Sequence, residues 1–409
     1  MTTALKSDRL HGLDAVRGGA LILGIVFHAT MSYLPGQQIW PVADAHRSVL
    51  LSGLFFTSHI FRMTTFFLIA GFFGRMVVEK RGVWGFVKDR GKRIALPLVV
   101  GWPILFGAFL AALVYAIWAQ TGVAPKPPPH DPNAPPLAFP LMHLWFLYLL
   151  LMFYGGVLAA RWSVRRLAAP SQARLMGGLD RLVRAIVANP AGLVLIAAPA
   201  TLAFFVFRPW LEWFGPPSSD TSLIPVWPGF LAYFMAFGFG WLLQRQRGLL
   251  DVLAKRWRFN LAAALLLMTA LIAWIGLTPV TRPWAMGPAK LGYALTYELA
   301  CWSATFAIIG LALRFFAGES PVRRYIADSS YWLYLVHLPI LVALQGAVSR
   351  LDWPAEAKIL LILGVAFPVM LATYELMVRH TFVGAILNGR RVPRSPRKPR
   401  PVAQLEPAE

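Results

Sequence analysis

The sequence predicts an all-α integral membrane protein of about ten transmembrane helices, with both termini in the cytoplasm. Three observations predict it. Apolar residues make up 57% of the 409 positions and charged residues 14%, against about 45–50% and about 25% in a soluble domain. Ten apolar stretches approach the roughly 20 residues that a helix needs to cross a bilayer. Lys and Arg are distributed with a strong two-sided asymmetry between them.

The stretches lie near residues 16–34, 51–78, 94–118, 137–160, 191–207, 223–243, 259–279, 291–313, 328–349 and 357–378. The first follows Lys6 and Arg9, but it is too long for the apolar core of a removable signal and has no small-x-small cleavage site. The second is long and the fifth short. Between the third and fourth, Pro125–Pro136 reads as a stiff polyproline spacer. No internal repeat and no GxxxG face stands out. Residues 1–380 form the expected ten-helix domain. Residues 381–409 read as a basic, Pro-rich, disordered cytoplasmic tail, whose Arg390–Arg400 run is drawn to anionic membrane lipid.

Of the 39 Lys and Arg residues, 29 fall on the side that holds the termini and six on the other, while Arg17, Arg62, Arg75 and Lys358 lie in or at the edges of spans. This split orients the chain and accounts for most of the net charge of +21 without any nucleic-acid partner. The single cysteine, Cys301, excludes an intramolecular disulfide and a Cys-based zinc site, and no metal is expected. The phosphate-binding, dinucleotide-binding, zinc-protease and nucleophile-elbow motifs are all missing, so ATP hydrolysis, nicotinamide chemistry and proteolysis find no support.

Charges in the hydrocarbon region cost several kcal/mol, so each calls for a reason. Arg17 and His28 are eleven residues apart in the first span, on one helical face and roughly 16 Å apart along its axis. Arg17 is thereby placed near the cytoplasmic edge and His28 beyond the midplane. Asp14, one turn before Arg17, is positioned to orient it. In the second span the segment His59-Ile-Phe-Arg62 buries a guanidinium that stays charged, with Glu298 and Glu375 as candidate partners. Tyr334 and His337 share a face one turn apart in the ninth span. His143 and Trp145 open the fourth. At the inner surface Lys88, Arg90, Lys92 and Arg93 cluster before the third span. Arg90 and Arg93 either form a bidentate phosphate site or anchor the topology.

These pieces, in this order, resemble the acyltransferase-3 family of membrane acyltransferases over most of the chain. The family's Arg-x10-His pattern falls on Arg17 and His28, and its Arg-x-x-Arg pattern on Arg90 and Arg93. Within it, Leu13–Arg17, His59–Met63, His143–Leu147, Tyr334–Pro339 and Tyr374-Glu375 are most similar to the glucan biosynthesis protein C group, which decorates osmoregulated periplasmic glucans with succinyl groups. The resemblance implies a protein of the bacterial inner membrane. Its donor would be a cytosolic acyl-CoA, succinyl-CoA or acetyl-CoA, and its acceptor a glycan hydroxyl on the periplasmic side. Arg90 and Arg93, with Lys88 and Lys92, would hold the nucleotide phosphates, and Arg17 would stand at the mouth of an internal tunnel. His28 would act as general base or carry the acyl group itself, beside His337, with Arg62 or Tyr334 stabilising the oxyanion. His59, His143, Trp145, Glu298 and Glu375 would bind substrate or support the site. The competing reading is a secondary transporter that moves an organic anion past the buried Arg and His.

Overall fold

The computed structural model describes residues 4–125 and 139–389. The Pro-rich spacer from residue 126 onward and the basic tail from residue 390 onward lie outside the described residues. The described chain is all helical: α1 Ala4–Thr30, α2 Val49–Arg90, α3 Leu96–Thr121, α4 Trp145–Arg165, α5 Ala169–Ala188, α6 Gly192–Val206, α7 Trp227–Leu243, α8 Leu249–Lys255, α9 Trp257–Ile275, α10 Pro288–Phe315, α11 Pro321–Val348, α12 Ala355–Thr373 and α13 Phe382–Leu387. The last of these puts a short helix at the start of the segment expected to be tail.

Each of the ten apolar stretches falls on a helix, but fewer qualify as independent spans. Among the described residues seven helical runs are long and apolar enough to cross a membrane, or eight if the bent pair α5–α6 is one span. Two features reduce the expected count. α2 continues past its apolar body and enters α3 through a π-helical turn at Gly91–Ala95, so Val49–Thr121 is a single run of 73 residues. Furthermore, α6 has 15 residues, short of the length a bilayer needs, and α7 has 17, at the lower end of that range.

α2 is interrupted at Gly82, where φ is 69°, a value that glycine adopts without steric cost. The break separates the apolar body of α2 from its basic last turns. α2 packs on α7 with almost nothing between the backbones. A Cβ at Gly71 would overlap the carbonyl of Phe237, and one at Gly240 the carbonyl of Leu68. Helices in lipid associate through such small residues, here as single glycines on facing helices rather than as a repeated motif.

Side-chain contacts give the helix directions. Phe67 of α2 meets Phe146 and Tyr233, while Phe86 meets Tyr154 and Trp241, so α2, α4 and α7 run the same way. Their C-terminal ends bring Arg75, Arg90, Arg161, Arg165 and Arg245 to one end of the bundle. α1 runs against α2, with Gly24 beside Arg62 and Phe27 stacked on Phe55. Arg17 therefore points toward the arginine-rich end and His28 toward the other.

Two ion pairs are buried at the end of the bundle away from the arginines. Lys358 Nζ donates to both carboxylate oxygens of Asp44 at 2.8 Å. Lys290 Nζ lies 3.4 Å from Glu212 and donates to the carbonyl of Phe207. All four side chains are at most 2% exposed. These lysines look like interfacial charges in the sequence; in the fold they fasten the loops at residues 34–48 and 207–226 to α12 and α10.

Candidate active site

A cavity of about 520 Å³ opens between α1, α2, α4 and α11, capped by the loop between α6 and α7. Its polar lining consists chiefly of His28, His59, Arg62, His143, Tyr334 and His337, with Trp40, Trp145 and Trp210 among the aromatic walls. These side chains come from widely separated segments, yet all except Trp40 and Trp210 are singled out by the sequence as polar or aromatic anomalies.

The three central imidazoles are close together. His337 lies between its neighbours, its ring centroid 5.2 Å from His28 and 5.0 Å from His143. Their tautomers follow from their partners, because a carbonyl can only accept a hydrogen bond. His337 Nδ1 donates to the carbonyl of Tyr334 at 2.7 Å, which leaves Nε2 as the basic nitrogen, buried and without a partner. His143 donates through Nε2 to the carbonyl of Leu335 at 3.0 Å, leaving Nδ1 unpartnered. The Leu335 carbonyl is available because the residue four positions on is Pro339, which has no N–H to give it. Tyr334 donates its hydroxyl to the backbone carbonyl of His143 at 2.7 Å, so it buttresses the fourth-span entry rather than projecting a free hydroxyl. Just before His143, Met142 has φ 49°, a strained left-handed conformation for a side-chain-bearing residue.

His28 sits in the last turn of α1, half-buried, with Nδ1 unpartnered. The end of a helix leaves its last carbonyls without intrahelical partners. Here the Gln345 side chain supplies them, donating from Nε2 to the carbonyls of His28 and Ala29 at 3.1 and 3.2 Å. Gln345 Oε1 in turn accepts from Trp40 Nε1 at 2.8 Å, which sets the indole 5.9 Å from the His28 ring. Sequence reasoning missed both residues. A lone amide in an apolar span, two turns beyond His337, was the available signal for Gln345; Trp40 lies in a loop with no periodicity to reveal it.

Arg62 is 5% exposed and lies over the Phe27 ring, its guanidinium carbon 3.8 Å from the ring centre. Its Nη1 has no hydrogen-bond partner. The expected pairing with an acidic residue is not present: among the described residues no carboxylate lies within ion-pair distance of Arg62. Glu375 pairs with Arg379 at 2.6 Å and with His380 at 3.5 Å, and it lies outside the cavity. Glu298 is buried on α10 with Oε1 unpartnered, also outside the cavity lining. His59 packs against both Phe27 and Phe55, which stack on each other, and Trp145 packs on Tyr233 at 5.5 Å. Asp220 is the one carboxylate among the described cavity residues, and it accepts from Ser218 at 2.8 Å at the rim. The floor of the cavity therefore holds several imidazoles with an unpartnered ring nitrogen and a guanidinium, with no carboxylate between them among the described residues.

The basic cluster lies apart from this cavity. Arg17 pairs with Asp14 at 3.3 Å, as its position one turn away suggested. Arg90 and Arg93 converge on Asp89, at 3.8 and 3.4 Å, which also receives Arg81 at 3.0 Å. Arg90 packs its guanidinium against Phe86 and Tyr154, while Arg93 donates to the carbonyl of Asn388 at 3.1 Å. Lys88 lies over Trp84 and, like Lys92, is exposed, so the two lysines do not join the arginine pair.

Comparison with known proteins places this arrangement. The family model described as an acyltransferase domain matches residues 10–374. Three curated relatives, each named Glucans biosynthesis protein C, come from Escherichia coli strain K12, E. coli O6:K15:H31 and Shigella dysenteriae serotype 1. Each is 30% identical over 149 residues, which is 36% of this chain and 38% of the relative. The chain thus matches little more than a third of the length of these relatives. No solved structure matches it. The family match, by contrast, runs through every residue of the cavity and through the arginine cluster; the chain belongs to the acyltransferase-3 family.

Proposed function

We propose that the protein transfers an acyl group from a cytosolic acyl-CoA to hydroxyl groups of a periplasmic glycan, with an osmoregulated glucan as the favoured acceptor and succinyl or acetyl as the group moved. The setting is the bacterial inner membrane, with both termini in the cytoplasm. The observation that carries the reading is the pairing in one cavity of unpartnered imidazole nitrogens with a guanidinium that no carboxylate among the described residues neutralises.

In this reading Arg90 and Arg93 hold the donor phosphates, and the pantetheine arm reaches along α1 to the cavity. His28 takes the proton of the acceptor hydroxyl, whose oxygen attacks the thioester carbonyl carbon. Arg62 stabilises the oxyanion that forms, a contribution often worth about 3–4 kcal/mol per donor. The carbon–sulfur bond then breaks and the sulfur leaves as the thiol with the proton from His28. His337 and His143, each tethered through one nitrogen, hold the neighbouring imidazoles in register. The name of the relatives supports a glucan acceptor.

The test is transfer of label from succinyl-CoA and acetyl-CoA to periplasmic glucan by protein in vesicles. General-base catalysis by a positioned side chain is worth about 10²–10⁴-fold, and His28→Ala is expected to lose that much. Arg93→Gln is expected to raise the donor KM about tenfold or more, with kcat little changed. If no label reaches glucan, and the vesicles instead accumulate an organic anion in an Arg62-dependent way, the protein is a transporter.

A further inference from the structure

A second cavity, of about 390 Å³, lies at the arginine-rich end between α2, α4, α5 and α7. It is separate from the histidine cavity and shares no lining residue with it. Four arginines line it: Arg75, Arg161, Arg165 and Arg245. Two of them are committed. Arg75 pairs with Glu79 at 2.9 Å, and Arg245 makes a two-pronged pair with Asp180, both bonds at 2.8 Å. Arg161 and Arg165, one turn apart on α4, have no carboxylate within ion-pair distance among the described residues, and Arg161 Nε is buried without a hydrogen-bond partner. The cavity therefore has two cations in surplus, one of them with a buried donor that nothing among the described residues satisfies. Leaving such a group unsatisfied costs about 1–3 kcal/mol or more.

Apart from Gln172, the rest of the lining is apolar and includes Val157, Val164, Met176 and Leu242. A soluble anion would gain nothing from those walls. The surface beside the mouth is apolar too, with Trp162, Leu167, Leu175 and Leu182 exposed on α4, α5 and the turn between them. α5 carries this band opposite arginines and Asp180, and it is bent by 106° from α6. That is the build of a helix lying in the membrane interface. Basic pockets between helices at this depth take anionic lipid head groups.

We propose that this cavity binds an anionic phospholipid, its phosphate held by Arg161 and Arg165 and its acyl chains lying along Trp162, Leu167, Leu175 and Leu182. The inference does not depend on the acyl-transfer reading. The test is native mass spectrometry of detergent-purified protein titrated with phosphatidylglycerol or phosphatidylcholine, together with thermal unfolding, in the absence of donor and acceptor.

Wild-type protein should retain phosphatidylglycerol at least tenfold more than phosphatidylcholine, with a higher unfolding temperature in the former. Arg161→Gln/Arg165→Gln should lose that preference, while Arg166→Gln, whose guanidinium stacks on Trp162, should keep it. Equal retention by the double variant and wild type overturns the proposal. So does displacement of bound phosphatidylglycerol by millimolar inorganic phosphate or coenzyme A, which would give the pocket to a soluble phosphate ester. If the double variant does not fold, the displacement experiment on wild-type protein decides alone.

Discussion

His143 donates through Nε2 to the carbonyl of Leu335 at 3.0 Å, a bond between α11 and the entry to α4 that exists because Pro339 withholds the N–H that would otherwise claim that carbonyl. The proline of the His337-Leu-Pro339 segment therefore acts on an imidazole nearly two hundred residues away. Pro339→Ala restores a competing donor. The expected result is a several-fold to tenfold fall in kcat at unchanged donor KM, with a thermal unfolding temperature equal to or above wild type. An unchanged rate would show that the His143 tether has no part in turnover.

Gln345 caps the end of α1 and so sets the direction in which His28 faces. Gln345→Leu leaves the carbonyls of His28 and Ala29 unsatisfied, at a cost of about 1–3 kcal/mol, and frees the Trp40 indole. Transfer should drop at least tenfold. Gln345→Glu, which keeps an acceptor for Trp40 but cannot donate to the carbonyls, should be as impaired as the leucine variant. Steady-state rates on matched amounts of folded protein separate the two roles of the amide.

Arg62 offers a clean division between stability and activity. Since among the described residues no carboxylate neutralises it and Nη1 is unpartnered, removing its charge relieves a desolvated cation without stranding a partner. Arg62→Met is therefore expected to fold with equal or greater thermal stability while losing about 10²–10³-fold in rate. Arg62→Lys keeps the charge but not the flat face that covers Phe27, and its rate should fall between the two. A methionine variant that unfolds would assign Arg62 to the scaffold.

The Asp44–Lys358 pair predicts the opposite pattern. Asp44→Asn strands a fully buried ammonium and should cost about 3–5 kcal/mol, visible as a loss of folded yield and unfolding temperature. Asp44→Asn combined with Lys358→Met should recover most of it. Denaturation in mild detergent, followed by tryptophan fluorescence, measures both.

The parts of this molecule that could be read from the chain are those that lipid makes conspicuous. Arg62, His28, His143 and His337 are costly in hydrocarbon, and each turned out to line one cavity. Directions of helices were also accessible, because the basic residues gather at one end. What escaped was anything ordinary in its local context. Trp40 and the loop residues Trp210, Phe214 and Ser218 carry no periodicity, and only the chain's path over the bundle brings them to the cavity. Glu375 looked free to reach across to Arg62, but a neighbour one turn away on its own helix claims it. The ten apolar stretches and the seven or eight described runs differ for a geometric reason: hydropathy sees where apolar residues cluster, whereas α2 and α3 join into one run and α6 ends after 15 residues.

Asp89 has a consequence for traffic through the arginine-rich end. Three guanidiniums already share its carboxylate, so the donor phosphate of the proposed reading would swap places with a tethered counterion instead of entering an empty seat. Such a seat is preformed yet releases readily, because the displaced carboxylate stays at high local concentration and competes to return. If the proposed donor binds there, such an arrangement would favour rapid exchange of spent carrier for fresh, at the expense of tight grip.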